Sequence, residues 1–144
     1  MAQIQPNEQK FNKWFRKNYD GWCKRVEPAM GMDPGFPDLV CLTPSGAIFC
    51  ELKIGSIVDD VLWCSEVRPS QIAWHTELAN AGGMSCFAVG VWQDGQWRVF
   101  LFDGVFASQW ETSGFELGFE AHEIENPAKL YDGVAEFVAD YLEV

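Results

Sequence analysis

Apolar residues recur every three or four positions from Asn7 to Tyr19. Phe11, Trp14, Phe15 and Tyr19 form one stripe, which predicts an amphipathic helix. Asn7 stands where an N-cap belongs, with Lys10 at N3 in place of the Glu or Gln of a capping box. Lys10, Lys13, Arg16 and Lys17 fall largely off the stripe, and Asp20-Gly21 ends the helix. Residues 22–27 alternate enough for a short strand. The next ten, 28–37, hold three prolines and two glycines and read as a loop. Residues 38–43 and 47–54 are two strands around the turn Pro44-Ser45-Gly46, a hairpin pattern.

Residues 54–68 are too apolar for a linker and show no period. Pro69 fits the first position of a helix that runs to about Ala81 and closes at Gly82-Gly83. Residues 85–92 are nearly continuous apolar, the pattern of a strand buried on both faces. Asp94-Gly95 is a hairpin turn into an alternating strand over 96–102. A short helix at 105–110, a strand at 119–124 and an amphipathic helix at 127–142 complete the reading. The fold class predicted is α/β, a mixed central sheet flanked by helices. All 144 residues form one domain, with a core over about 7–102 and an acidic C-terminal extension over about 103–144.

With 48% hydrophobic and 22% charged residues, the composition excludes a disordered chain. No apolar run approaches the ~20 residues of a membrane span, and the first residues are too polar for a signal peptide. A cytoplasmic protein with no membrane partner is expected, in the host cytoplasm if a phage encodes it. Cys23, Cys41, Cys50, Cys64 and Cys86 are odd in number and none are spaced Cys-x-x-Cys, which favours buried free thiols.

The net charge of −11 speaks against nucleic acid until it is divided along the chain. Residues 1–30 carry six Lys and Arg against three Asp and Glu, a net +3; the remainder carries four against eighteen, a net −14. A polyanion could approach the first helix and be repelled elsewhere.

The sharpest chemical signal lies in the hairpin. With the turn near Pro44-Ser45, Asp38 and Glu51 fall at about the same height on adjacent strands. Period two then puts Glu51 and Lys53 on one face. Two carboxylates that close repel unless a cation lies between them, and hard oxygen donors suit Mg²⁺ or Mn²⁺. Such an ion polarises a phosphoryl oxygen and acidifies a bound water, beside which Lys53 could orient that water or stabilise phosphate charge.

The run Gly35-Phe36-Pro37-Asp38-Leu39-Val40, followed by Glu51-Leu52-Lys53, resembles the PD-(D/E)XK nuclease superfamily. The run Pro69-Ser70-Gln71-Ile72-Ala73-Trp74-His75-Thr76-Glu77-Leu78, then Ala81-Gly82, is similar to the helix after the core hairpin in its VRR-NUC and Holliday-junction-resolvase-like branches. The resemblance spans about Glu8 to Trp92 and implies a restriction-endonuclease-like core. It further implies Asp38 and Glu51 as metal ligands with the Leu52 carbonyl, Lys53 as the catalytic lysine, Glu8 as an acidic residue completing the site, and Gln71 beside it. Lys10, Lys13, Arg16 and Lys17, on the helix of Glu8, would then meet DNA.

Elsewhere, His75 has no nucleophile beside it and reads as a packed helix residue rather than a base. His122 among Glu120, Glu123 and Glu125 reads as a solvated strand edge before a metal site. Most tryptophans read as core, while Trp63 is left between exposed-functional and packed. The resulting expectation is a Mg²⁺-dependent DNA endonuclease, with Mn²⁺ able to substitute, acting on branched or flapped DNA as a homodimer. The alternative is a non-catalytic acidic binding protein or a DNA mimic that inhibits a nucleic-acid enzyme. In either case the acidic C-terminal region could meet a protein partner.

Overall fold

The computed structural model describes residues 6–26, 36–64, 67–105, 115–116 and 122–142. Helix α1 (Glu8–Asn18) is capped by Asn7, whose side chain accepts from the Lys10 backbone N–H at 3.0 Å. Glu8 in its first turn and Arg16 and Lys17 in its last agree in sign with the helix dipole. Phe11 and Phe15 are fully buried, while Lys10, Lys13, Arg16 and Lys17 are exposed, as the stripe requires.

Strands β1 (Cys23–Arg25), β2 (Leu39–Thr43) and β3 (Gly46–Val58) follow. The β2–β3 turn needs a φ of +130° at position 46, which glycine supplies. Strand β3 is 13 residues long because it serves three partners in turn. Its first part pairs antiparallel with β2, its middle pairs parallel with β5 (Ser85–Gln93), and its far end pairs antiparallel with β4 (Val61–Cys64). The parallel step needs a crossover, and α2 (Pro69–Asn80) lies within it. Strand β6 (Gln96–Asp103) returns beside β5 through Asp94-Gly95, both in the left-handed region that a two-residue hairpin turn demands. Strands β7 (Phe115–Glu116) and β8 (His122–Glu123) add short edges, and α3 (Leu130–Leu142) ends the described chain. The main sheet runs β1-β2-β3-β5-β6-β8. This mixed sheet flanked by helices is the α/β architecture expected from the sequence.

Alternation along the strands divides the interior in two. Leu39, Ile48, Cys50, Leu52, Ala88 and Leu101 pack toward α1 and α3, where Leu130, Val134 and Val138 join them. The segment expected as an acidic extension therefore buries one face of its helix in the main core. Phe87, Val89, Val91, Phe100 and Phe102 pack on the opposite face with Leu62, Val67 and Ile72.

No disulfide joins the five cysteines; Cys41, Cys50 and Cys86 are buried as expected, whereas Cys23 and Cys64 are half-buried, and Cys23, Cys41, Cys50 and Cys86 form a row across four neighbouring strands. The unreadable stretch 54–68 is largely strand: the end of β3, a turn at Asp59-Asp60 with φ of 52° and 61°, and β4. Most of the expected loop at 28–37, the expected helix at 105–110 and the first part of the expected strand at 119–124 lie outside the described residues. Among the described residues, no helix is long and apolar enough to cross a membrane.

Candidate active site

The pairing of Leu39 with Cys50 and Val40 with Phe49 sets Asp38 opposite Glu51, one step beyond the last β2–β3 pair. The Asp38 carbonyl accepts from the Val26 N–H at 2.8 Å, which ties this position to the end of β1. Its side-chain Oδ2 accepts from the Leu52 N–H at 2.8 Å. In a strand, the N–H and C=O of one residue point to the same side. The Leu52 carbonyl therefore opens toward Asp38, where β2 has not yet begun.

Glu51 and Lys53 alternate onto the α2 face, where the neighbouring β5 positions are Phe87 and Val89. Both are nearly inaccessible, at 3% and 5% exposure. An acid and a lysine in an otherwise apolar layer are costly unless they are paired or hold a ligand.

Helix α2 answers Glu51 with polar residues. Gln71 is buried, and its Nε2 donates to Glu51 Oε1 at 2.6 Å. Its Oε1 accepts from the Arg68 N–H at 3.0 Å, so the amide is held with its nitrogen toward the acid. One turn on, His75 is fully buried, with Nδ1 at 2.7 Å from Ser85 Oγ and Nε2 at 3.9 Å from Glu51 Oε2. Among the described residues, these two facing atoms, Glu51 Oε2 and His75 Nε2, are buried without a hydrogen-bond partner.

The electrostatics follow from this burial. Desolvation, then the charge of Asp38, push the Glu51 carboxyl up to about 9, against the opposing pull of Lys53. Burial lowers His75 to about 4. Glu8 is raised by burial and by Asp38, and drawn back by Lys53 and Arg68. The same charges act on each group, so Glu8, Asp38, Glu51 and Lys53 share one locality. Among the described residues, no three His, Cys, Asp or Glu side chains converge closely enough to form a metal cage by themselves. The donor set that fits a hard divalent ion is thus two carboxylates, Asp38 and Glu51, with backbone oxygen beside them. The unpartnered, buried Glu51 Oε2 is the feature such an ion would satisfy.

A cleft of about 570 Å³ leads away from this point between α1 and the ends of β1 and β2. Glu8 and Asp38 line its acidic part and Lys13, Arg16 and Arg25 its basic part. Lys10 and Lys17, though exposed on the same helix, do not line it. Of the other sequence candidates, His122 packs edge-on against Phe137, with ring centroids 5.8 Å apart, and Glu123 is paired with Arg98. Glu120 lies outside the described residues. Trp63 is exposed, and Trp14, Trp74 and Trp92 are half-buried.

The His75–Ser85 pair depends on Gly104. A Cβ there would collide with Ser85 Oγ and come within 2.8 Å of His75 Nδ1. Gly104→Ala is expected to lower stability by about 1–3 kcal/mol through overpacking, measured by urea unfolding. Adding Ser85→Ala, which removes the first clash, should return part of that loss. An unchanged midpoint for Gly104→Ala would contradict the tight packing behind His75.

No protein-family model matches the chain, and no curated protein matches it. Among solved structures, the chain is similar to Hjc, a Holliday junction resolvase from the archaeal hyperthermophile Archaeoglobus fulgidus. That similarity has a TM-score of 0.46 and 18% sequence identity, and it covers 90% of this chain and 95% of the resolvase.

Proposed function

We propose that the chain is a metal-dependent endonuclease that hydrolyses phosphodiester bonds in DNA. The observation that supports this reading is a half-buried Asp38 opposite a buried Glu51, with a buried Lys53 two residues on, next to a cleft that Glu8 and Asp38 line at one end and Lys13, Arg16 and Arg25 at the other. Asp38 and Glu51, with the Leu52 carbonyl, would hold Mg²⁺, and Mn²⁺ would replace it. Such an ion supplies Lewis-acid polarisation of the phosphoryl group and a more acidic water. Gln71 positions Glu51 through the 2.6 Å hydrogen bond. Lys53 offers its ammonium to the phosphate charge or to the attacking water. Lys13, Arg16 and Arg25 would receive the flanking phosphates, with Lys10 and Lys17 adding to the field. Two such sites in a homodimer would suit a two-fold substrate.

The test is cleavage of supercoiled plasmid and of a four-way junction with Mg²⁺, with Mn²⁺ and with neither, comparing wild type with Asp38→Ala and Lys53→Ala. Metal-dependent cleavage by wild type alone is expected. Equal inertness of all three on branched, single-stranded and duplex DNA would remove the proposal. Charge reversal of Lys13 and Arg16 to Glu is expected to weaken DNA binding and to reduce the slope of log affinity against log salt by about two, near one unit per lost phosphate contact. A titration series in salt measures it, and an unchanged slope would place the DNA face elsewhere.

A further inference from the structure

A second cleft, of about 500 Å³, lies beyond Lys53 on β3. Ile54 and Gly55 line it from β3, Trp63 from β4, Gly90 and Trp92 from β5 and Trp97 from β6. Among the described residues, none that lines it is charged, in contrast to the acidic and basic cleft beside it.

Its two walls have different origins. Trp97 is buried, lies against Phe11 at 4.8 Å between ring centroids, and meets Trp92 edge-on at 5.2 Å; this wall is fixed by the core. Trp63 is not fixed in this way. Alternation along β4 buries Leu62 at 1% exposure and turns Trp63 outward at 48%. The strand can return so closely only because position 55 has no side chain: a Cβ there would stand 2.5 Å from the Trp63 carbonyl oxygen. The sequence thus brings a large aromatic side chain to the rim of a tryptophan-lined cleft and leaves it half uncovered, where covering it would be favourable.

We infer that this cleft takes one unpaired nucleobase, stacked on Trp63, from the strand whose phosphate lies at Asp38 and Glu51; the inference rests on the nuclease reading above. Continuity supports it. Leu52 lines the first cleft and Ile54 the second, so two strand residues, about 6.6 Å, separate them. That span is the reach of one or two nucleotides at about 3.4 Å of rise each. The first turn of α1 and the residue before its cap border the two clefts, Glu8 and Gln9 the first and Pro6 the second. An uncharged aromatic cleft beside a charged one matches a nucleotide, with a neutral planar base next to an anionic phosphate. A base within a duplex hides both faces against its neighbours. The substrate class is therefore DNA with an unpaired nucleotide beside the scissile bond.

The experiment uses the whole protein in EDTA, so that nothing is cut. Its probes are a duplex carrying a two-nucleotide bubble with 2-aminopurine in it and the fully paired duplex of the same length. Wild type is expected to bind the bubble more tightly and to quench its fluorescence. Trp63→Ala should lose about tenfold or more of the bubble affinity, leaving duplex affinity and salt slope as they were, and Trp63→Phe should recover most of the loss. If Trp63→Ala keeps the wild-type bubble-to-duplex ratio while Lys13 and Arg16 still govern binding, the cleft assignment falls and the nuclease reading stands. If wild type binds no DNA and cuts none, both fall. If sedimentation shows that Trp63→Ala dissolves a dimer without altering the ratio, the cleft belongs to a second copy and the inference is overturned.

Discussion

Lys53→Met is expected to reduce cleavage by about two to four orders of magnitude, while DNA binding changes by only a few fold. The reason is where the charge lies. The Lys53 ammonium is within Coulombic reach of both Glu8 and Glu51 and draws both back toward ionisation, with Arg68 helping at Glu8. It is 5% exposed, so it adds little to the long-range field that brings DNA in. That field belongs to the exposed cations of α1. Loss of Lys53 therefore leaves encounter intact and removes a cation at the point of reaction. Methionine is the informative replacement because it keeps the length and apolar stem of lysine, whereas alanine would also leave a cavity. Lys53→Arg should not restore the rate, since a planar guanidinium does not fit a site shaped around a compact ammonium. Single-turnover cleavage at saturating enzyme, with thermal unfolding as the check on folding, measures the effect. A Lys53→Met rate within a few fold of wild type would take Lys53 out of the chemistry.

The hairpin that carries these groups was legible in the sequence because its information is local. Period-two alternation and a short turn at Pro44-Ser45 fix which residues face each other, and Asp38 opposite Glu51 follows from the observed register without adjustment. Gln71 came only through the motif resemblance, and its hydrogen bond to Glu51 spans twenty residues of sequence. His75 was read as a packed residue and is packed, yet its Nε2 faces Glu51. No periodicity carries that relation, because it depends on how α2 seats across β3 and β5. Gly104, which makes room for the His75–Ser85 pair, gives no signal of its own. The stretch 54–68 hid for a different reason. Strand β3 changes partner along its length, from β2 to β5 to β4, so no single face stays buried and no clean alternation survives. Its turn uses Asp59-Asp60 in left-handed conformations, where Asn-Gly or Asp-Gly would have announced a hairpin. Arg25 was counted in the basic N-terminal segment but not placed at the site, since the intervening loop conceals that β1 ends beside Asp38.

The metal-free protein should be least stable at high pH, and the cause is Glu51. Its carboxyl titrates near 9 when folded, above the ordinary 4.5. Between those values the folded state holds a proton that the unfolded chain has released, so stability falls as pH rises, by at most about 1.4 kcal/mol per pH unit. His75 acts in the opposite sense below its ordinary value of 6.5. Folding lowers it to about 4, so the folded state binds fewer protons there and stability rises with pH. From about pH 4.5 to 6.5 the two slopes largely cancel. Above 6.5 the Glu51 decline is no longer offset by His75, with Asp38 and Glu8 opposing its ionisation and Lys53 favouring it; close to pH 9 the thiols of Cys23, Cys41 and Cys50, raised by hydrogen bonds along their row and by burial, begin to add to the decline. Glu51→Gln, which imitates the protonated acid and can still meet Gln71, should flatten the decline between pH 7 and 9 in urea unfolding. Adding Mn²⁺ should do the same for wild type and not for the variant, because a bound cation replaces the proton. Calorimetric titration of Mn²⁺ into wild type at pH 7, repeated in buffers of different ionisation enthalpy, should then show close to one proton released per ion. A stability profile flat from pH 7 to 9 in the metal-free wild type, or Mn²⁺ binding without proton release, would mean that Glu51 is already ionised and that the acid pair is not held ready for a cation.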